Sequence, residues 1–279
     1  MDREGEAMEI ANREVVSTTP TNSIKNVAQL MEEHDFRRLP VLDAGTQRLE
    51  GMAVAIDILN FLGGGEKYNI IKQDYNGNFL AAINTPISKI IAPASFIGKD
   101  SSIDEVIEIM LNKRTSAIPV VNNSESREVL GIITERDLLP KAIDLDVSIA
   151  EIMRADTITS SLGMMISDVS KIMVRNRLRR LPVIREDKVI GIVTVFDVLK
   201  FLEKGDFKGV SAEENLSTRV DEIMEKRVVS LKPEDSITEV LRLIEETSLG
   251  GFPVVSENME LKGILTTTDV IRWAYGPGA

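Results

Sequence analysis

Four aspartates in this sequence follow a glycine at a fixed distance of six residues, each after a short apolar run. The pairs are Gly51 and Asp57, Gly131 and Asp137, Gly191 and Asp197, and Gly263 and Asp269. Three copies also carry a threonine three residues before the aspartate, namely Thr134, Thr194 and Thr266. The apolar run predicts a strand and the residues after it a helix, so Thr and Asp lie at a helix N-terminus. This arrangement suits a polar ligand such as a sugar or a phosphate.

Two pairs of adjacent arginines could supply the positive charge that a phosphate requires. Arg37-Arg38 and Arg179-Arg180 each stand directly before a Leu-Pro-Val triplet. Guanidinium groups bind phosphate oxygens through paired hydrogen bonds. The equivalent positions in the other two copies are neutral, Ser116-Ala117 and Gly250-Gly251. The alternative interpretation of the arginines is an ordinary solvated surface, and that of each aspartate is a helix cap without a ligand.

The elements that must position these residues also recur four times. An apolar-Pro-Val triplet precedes each glycine by 9 to 12 residues, and an amphipathic helix pattern precedes each triplet, as in Ile103 to Leu111. A short apolar segment precedes each helix. One unit is therefore strand, helix, strand, strand, helix. A unit of about 60 residues is small for a core of its own, so the units should pair.

The connections between units differ in length and composition. Residues 63–86 are long and polar, 140–147 form a short link, and 203–217 are charged. Chain order makes units 1 with 2 and 3 with 4 the simplest pairing. Residues 63–67 resemble a phosphate-binding loop only faintly, because Tyr68 stands where Ser or Thr would bind magnesium, so we interpret them as a flexible connector.

Composition narrows the functional classes. The chain has 279 residues, no Cys, one His and a formal net charge of −11. This charge opposes nonspecific binding to nucleic acid, and the single His argues against a metal site. The start of the chain does not read as a secretory signal, and no apolar run is long enough to span a membrane. We therefore expect a cytoplasmic protein without nucleic-acid or membrane partners.

The apolar segment, the helix, the apolar-Pro-Val strand and the Gly-apolar-apolar-Thr-x-x-Asp turn together resemble cystathionine-β-synthase-type (CBS) domains. The resemblance covers nearly the whole chain, with domains at 8–63, 84–143, 147–205 and 217–275. It implies an α/β (α+β) fold in which two tandem pairs, called Bateman modules, assemble as a disc. Four copies look most like archaeal relatives of the γ subunit of AMP-activated protein kinase. The segments 63–70 and 79–84 look like the inter-repeat connection of that group.

In this family the repeat's Asp accepts hydrogen bonds from both ribose hydroxyls, and the hydroxyl three residues earlier helps to position ribose or phosphate. The arginine pair reaches across the pseudo-two-fold axis to the ligand of the partner repeat. The resemblance thus implies that Arg37 and Arg38 serve the Asp137 site, and that Arg179 and Arg180 serve the Asp269 site. Arg136 is a further candidate for phosphate.

The resemblance also ranks the four sites. The Asp137 and Asp269 sites come first because both have an arginine pair, and Asp197 comes next. Asp57 comes last because Val54 replaces the threonine. Adenine needs an apolar slot, and the candidate walls are Phe96, Ile97, Ile118, Pro119, Val228, Val229, Phe252 and Pro253.

The resulting hypothesis is a non-catalytic sensor of AMP, ADP or ATP with no catalytic cofactor. It would act on a protein partner, as a monomeric disc or as a homodimer. Two alternatives remain open: a sensor of S-adenosylmethionine or another adenosyl ligand, and a structural assembly module whose clefts bind nothing. A nucleotide hydrolase is disfavoured because no paired carboxylates, metal cluster or activated nucleophile stand out.

Overall fold

The computed structural model describes residues 5–140 and 147–276. Four similar units follow one another, each built from an amphipathic helix and an antiparallel hairpin. The helices and strands in chain order are α1 (Glu6–Ile10), α2 (Ile24–Glu33), β1 (Arg38–Leu42), β2 (Leu49–Val54), α3 (Ala55–Leu59), α4 (Tyr68–Tyr75), α5 (Phe79–Ile83), β3 (Ile97–Gly98), α6 (Ile103–Lys113), β4 (Ala117–Val121), β5 (Val129–Thr134), α7 (Ile166–Asn176), β6 (Arg180–Arg185), β7 (Lys188–Thr194), α8 (Val195–Lys204), α9 (Ala212–Leu216), α10 (Val220–Ile223), α11 (Ile237–Thr247), β8 (Gly251–Val255), β9 (Leu261–Thr266) and α12 (Thr267–Tyr275). Short 3₁₀ helices lie at Ile87–Lys89, Glu135–Leu138 and Ile149–Glu151, and a wide turn, Asn60–Gly64, extends α3.

The segment that leads into each unit was expected to be a strand, and in unit 2 it is one. There β3 runs parallel to β4, although it is only two residues long. In the other units a single residue of the segment pairs with the hairpin, as Thr18 does with Val41 and Ser160 with Val183. In all four units the earlier part of the segment contacts the neighbouring unit.

Units that are adjacent in sequence exchange these leading segments. Asn12, which leads into unit 1, pairs with Ile132 on β5, while Ala92, which leads into unit 2, pairs with Met52 on β2. Units 3 and 4 make the same reciprocal exchange. The hairpins also meet, since the Leu49 N–H donates to the carbonyl of Arg127 at 2.9 Å. The pairing of units 1 with 2 and 3 with 4 is therefore that of chain order.

The exchange explains the glycine that marks each unit. A Cβ on Gly263 would stand 2.7 Å from the carbonyl oxygen of Arg154, and one on Gly51 would stand 2.9 Å from that of Ala92. Those distances are shorter than a carbon–oxygen contact allows. The crossing segment can therefore lie against the hairpin only where the side chain is absent.

The two pairs join through their helices. α2 and the turn after α3 pack on α8 and α7, so units 1 and 3 share one apolar core. Gly64 is buried in that contact, and its Cβ would lie 2.7 Å from a methyl of Val174. The prediction of a flexible connector at 63–67 is therefore wrong for Gly63 and Gly64, both of which are buried in the core. The contact requires glycine because the two backbones approach closely.

The rest of the first connector is also ordered. α4 and α5 bury Ile71 and Phe79 fully. The ring of Phe79 lies 5.2 Å from that of Phe207 and 6.5 Å from that of Phe201, between ring centroids. These apolar contacts tie the connector to unit 3.

Unit 2 differs from the others at its end. Its closing helix is only the 3₁₀ turn Glu135–Leu138, because Pro140 follows at once and disfavours helical backbone at Leu139. Residues 141–146 of the predicted link 140–147 lie outside the described residues. This turn packs on α12, so unit 2 contacts unit 4. Each unit thus packs its helices and hairpin mainly on two others, and the four units form a ring.

Candidate functional site

The Thr and Asp of the repeated turn bond to each other in three of the four units. Thr266 donates its backbone N–H at 2.9 Å and its hydroxyl at 2.5 Å to Oδ2 of Asp269. The same two bonds, at 2.7–2.8 Å, join Thr134 to Asp137 and Thr194 to Asp197. Each of these three aspartates therefore caps its helix with one oxygen. The second oxygen, Oδ1, is left for another partner.

The four aspartates differ in their surroundings. Asp269 is buried, Asp57 and Asp197 are half-buried, and Asp137 is exposed. Burial raises the pKa of Asp197 and nearby Glu225 adds to the rise, while the hydrogen bonds from Thr194 oppose it. Chemically equivalent positions in the sequence therefore present carboxylates of different character.

The two arginine pairs converge at the centre of the ring. Arg38 Nε donates to Ser116 Oγ at 3.0 Å, and Arg180 donates to the carbonyl of Gly251, so each pair reaches the neighbouring unit. A Cβ on Gly250 would lie 3.3 Å from Arg180 and 3.4 Å from Arg37. The glycines at the start of β8 therefore leave space for guanidinium groups from units 1 and 3.

These arginines disfavour one another's charge. Burial and the neighbouring Arg179 lower the pKa of Arg37 and of Arg38 to about 10. Burial, Arg37 and Arg179 lower the pKa of Arg180 to about 9. With these pKa values Arg37, Arg38 and Arg180 are cationic at neutral pH, and an anion placed among them would relieve their mutual repulsion.

A cavity of about 890 Å³ surrounds the arginine cluster and is bordered by all four units. Its volume falls within the range of about 300–1,000 Å³ of small-molecule sites. The basic side chains that line it are Arg37, Arg38, Lys113, Arg114, Arg154, Arg177, Arg179, Arg180 and Arg272. The acidic ones are Asp57, Glu135, Asp156 and Asp269. Nine basic groups against four acidic ones give the described lining a formal charge of +5, although the whole chain carries −11.

The structure brings some predicted ligand residues to this cavity and not others. Those in its lining are Asp57, Thr266, Asp269, Arg37, Arg38, Arg179 and Arg180. Thr134, Asp137, Thr194, Asp197 and Arg136 are outside the described lining. Both arginine pairs therefore border the same cavity as Asp57 and Asp269, whereas Asp137, which was predicted to bind with Arg37 and Arg38, is outside its described lining.

Arg136 has its hydrogen-bond partners outside the arginine pairs. Its guanidinium lies 3.4 Å from Asp35 and donates to the carbonyl of Ser248, so it links units 1, 2 and 4 through exposed contacts.

The predicted adenine walls do not border the central cavity. Phe96 and Ile97 line a second pocket, where the guanidinium of Arg127 lies 5.2 Å from the Phe96 ring centre. The strand residues Ile118, Pro119, Phe252 and Pro253 are buried in β4 and β8. Val228 is half-buried and Val229 is exposed.

The segment leading into unit 3 contributes residues that the sequence interpretation missed. Arg154 Nε lies 3.2 Å from Asp269 Oδ1, and Arg272 lies 3.6 Å from the same oxygen. Thr157 and the partly exposed Ile158 line the cavity beside them. The available signal was repetition: Thr157-Ile158 is the equivalent of Phe96-Ile97. Because units 3 and 4 exchange their leading segments, the segment that leads into unit 3 lies beside Asp269 of unit 4.

The residue at the crossing point differs in every unit. Asn12, Ala92, Arg154 and Glu225 each pair with the residue five positions before a repeat aspartate. Asp269 is therefore approached by a cation and Asp197 by an anion. The four sites share a backbone geometry but not a charge.

Comparison with known proteins agrees with this architecture. The family model described as "CBS domain" matches residues 7–64, 87–143, 149–204 and 220–276. The chain belongs to the CBS domain family. The predicted family and the predicted α/β (α+β) fold of four CBS repeats in tandem pairs are thereby confirmed.

Two relatives match this chain over nearly its whole length. Protein MJ1225 of Methanocaldococcus jannaschii is 36% identical over 275 residues, covering 95% of this chain and 98% of its own. Its crystal structure, described as that of a proposed archaeal homologue of γ-AMPK, superposes with a TM-score of 0.86 over 96% of this chain and 99% of that chain, at 34% identity. A 33.4 kDa protein of Thermofilum pendens is 26% identical over 264 residues, covering 92% of this chain and 87% of its own.

Within residues 5–140 and 147–276, no three His, Asp or Glu side chains are grouped so as to hold a metal ion. No helix in these ranges has the length and apolar character that crossing a bilayer requires.

Proposed function

We propose that the protein is a non-catalytic sensor that binds adenine nucleotides, AMP, ADP or ATP, between its CBS repeats. The central cavity is the observation that carries the proposal. Basic side chains outnumber acidic ones there by nine to four in a protein of net charge −11. A cavity of that size and charge favours a small organic anion.

The Asp269 site offers each part of a nucleotide a partner. Ribose hydroxyls would displace the exposed guanidinium groups of Arg154 and Arg272 from Oδ1 of Asp269, while Oδ2 keeps its bonds from Thr266 and caps α12. Ile158 supplies exposed apolar surface for a base, and Arg180 lies in the same lining for phosphate. The family resemblance assigns the same roles to the Asp and to the arginine pair.

The Asp197 site favours a different ligand. Glu225 lies at its crossing point, and the neutral Gly250-Gly251 stands where an arginine pair would serve it. A phosphate would be repelled by this charge. An adenosyl ligand with a positive group, such as S-adenosylmethionine, is therefore the second candidate, and this site would hold it.

Ligand binding would act by changing how the two pairs of CBS repeats sit together. A ligand shifts a conformational equilibrium only through different affinities for the two states. The cavity touches all four repeats, so a nucleotide bound there contacts both pairs at once. This change would alter the surface that the protein, as a monomeric disc or as a homodimer, presents to a protein partner. We place both proteins in the cytoplasm.

Calorimetric titration of charcoal-stripped protein with AMP, ATP, adenosine and S-adenosylmethionine tests the proposal. Asp269→Asn keeps an oxygen to cap α12 but loses the charge, so AMP should bind about 10- to 100-fold more weakly. Arg38→Ala combined with Arg180→Ala should weaken AMP but leave adenosine unchanged. The exposed Asp206→Ala and Arg185→Ala variants are the matched controls.

Three results would contradict the proposal. If AMP and ATP do not bind at millimolar concentration, the sensor function is wrong. If the double arginine variant binds AMP as the wild type does, the phosphate assignment is wrong. If S-adenosylmethionine binds more tightly than AMP to a site that Asp269→Asn weakens, the ligand class of that site is wrong.

A further inference from the structure

Glu135 lies inside the arginine cluster. It is the first residue after Thr134, and the equivalent residues of the other repeats are Ala55, Val195 and Thr267. Only unit 2 therefore has an ionisable group here, and its side chain is only 10% exposed. A charged side chain at such a buried position requires partners of opposite charge or hydrogen-bond donors.

Both carboxylate oxygens of Glu135 have partners in the second pair of repeats. Arg179 donates to Oε2 from Nη1 at 3.3 Å and from Nη2 at 3.5 Å. Thr268 donates its hydroxyl to Oε1 at 2.8 Å, and Arg179 Nη2 also donates to the Thr268 oxygen at 2.9 Å. Glu135 of unit 2 thus binds unit 3 and unit 4 simultaneously.

These are the partners that a phosphate group would use. A guanidinium and a hydroxyl donate equally well to carboxylate and to phosphoryl oxygens. The negative charge of Glu135 also opposes the fall in pKa of Arg37, Arg38 and Arg180. Glu135 therefore supplies the free protein with an anion at the centre of the cluster.

We infer that Glu135 is a built-in competitor of phosphate, whose carboxylate holds the anion position beside Arg179 and Thr268 that a ligand's phosphate must take. Binding of the phosphate breaks the link from Glu135 to units 3 and 4 and replaces it with bonds to the ligand. Glu135 sets the affinity for the phosphate part alone, since the partners that it holds are Arg179 and Thr268 rather than the ribose aspartate or the apolar surface at Ile158. The inference rests on the proposed function only insofar as the ligand carries phosphate.

The Glu135→Gln variant tests this inference, with the exposed Glu125→Gln as the control for the same loss of charge. Glutamine keeps the size and one acceptor oxygen but cannot offer a charge to Arg179. Inorganic pyrophosphate should bind Glu135→Gln about tenfold more tightly than wild type, by calorimetry. AMP should gain by a similar factor, and adenosine should be unchanged.

A purely structural role predicts a different pattern. The ligand-free Glu135→Gln protein should melt at a lower temperature than wild type in either case, because an ion pair between repeats is lost. Only a competitor role makes the increase in melting temperature upon addition of pyrophosphate larger in the variant. A melting temperature that falls without any gain in pyrophosphate affinity would overturn the inference, as would an equal gain in Glu125→Gln.

The outcomes separate this inference from the proposed function. If neither AMP nor adenosine binds, the sensor function fails, and the pyrophosphate titration alone decides the role of Glu135. If AMP binds but pyrophosphate and AMP affinities are the same in wild type and Glu135→Gln, the sensor function stands and the competitor role is refuted.

Discussion

Substitution of Lys67 tests whether all four repeat aspartates are accessible to a ligand. Its ammonium group donates to Oδ1 of Asp57 at 2.5 Å and to the carbonyl of Ile90 at 2.6 Å. The backbone is held as well, because the Lys67 N–H donates to Oδ1 of Asn60 at 2.9 Å. A side chain of the first connector therefore takes the carboxylate oxygen that a ribose would need. We predict that Lys67→Ala opens a binding site that wild type keeps closed.

The size of the effect follows from the exposure of the pair. The side chains of Lys67 and Asp57 are 26% and 20% exposed, so their bond lies between an exposed ion pair and a buried one. Its loss should cost about 1.5 kcal/mol, intermediate between about 0.2–1 kcal/mol for surface pairs and about 1.5–3 kcal/mol for buried charged hydrogen bonds. The melting temperature should fall by about 3–5 °C.

A ligand at Asp57 must break the same bond in wild type, so removing Lys67 should tighten that site about tenfold. The assay is the stoichiometry of AMP or adenosine by calorimetry or equilibrium dialysis. Lys67→Ala should bind one more equivalent than wild type at equal ligand concentration. Lys72→Ala, on the exposed side of α4, is the matched control and should bind as wild type does. Unchanged stoichiometry together with a lowered melting temperature would refute the reasoning.

Two further predictions concern packing and pH. Gly64→Ala places a Cβ 2.7 Å from both the Leu59 carbonyl and a Val174 methyl, so it should lower the free energy of unfolding, measured in urea, by about 1–3 kcal/mol. Gly163→Ala is the control, because its Cβ meets nothing within 4 Å and should leave the stability unchanged. Equal stability of the two variants would contradict the packing of unit 1 on unit 3. Because the pKa of Asp197 is raised, the folded protein binds the proton of this carboxyl group more tightly than the unfolded chain does. The protonated group therefore stabilises the fold below the ordinary pKa of 3.8, and this stabilisation is lost as the pH rises through the pKa in the folded state. The stability of wild type relative to Asp197→Asn should therefore decrease from pH 3.5 to pH 7, and an increase over that range would show that the pKa is not raised.

Much of the architecture was predictable because it depends on local and repeated patterns. The six-residue spacing from Gly51 to Asp57 recurs three times, and the amphipathic helix and the Pro-Val strand recur with it. Hydrophobic periodicity and turn residues depend on only a few neighbouring positions, so the sequence alone predicts the repeating unit and its strand-to-helix turn. The same repetition identified the arginine pairs as the candidates for phosphate.

The composition of the central cavity was not predictable, because it depends on which repeats touch. Units 1 and 3 meet through helices, which brings Arg37 to Arg180 although the two residues are far apart in sequence. The exchange of leading segments places Arg154 beside Asp269 and Glu225 beside Asp197. No property of a single repeat contains that information.

The sequence by itself determined the repeating unit, its helix-capping aspartates and the charge available for an anion, since each depends on residues close together in the chain. Tertiary structure alone decided which aspartates border the shared cavity, that Lys67 covers one of them, and that Glu135 stands among the arginines. The physical reason is that the burial of a side chain, and the charged groups that surround it, depend on how the four units assemble into the ring. Residues equivalent by repetition, such as Asp137 and Asp269, become exposed in one place and buried in another.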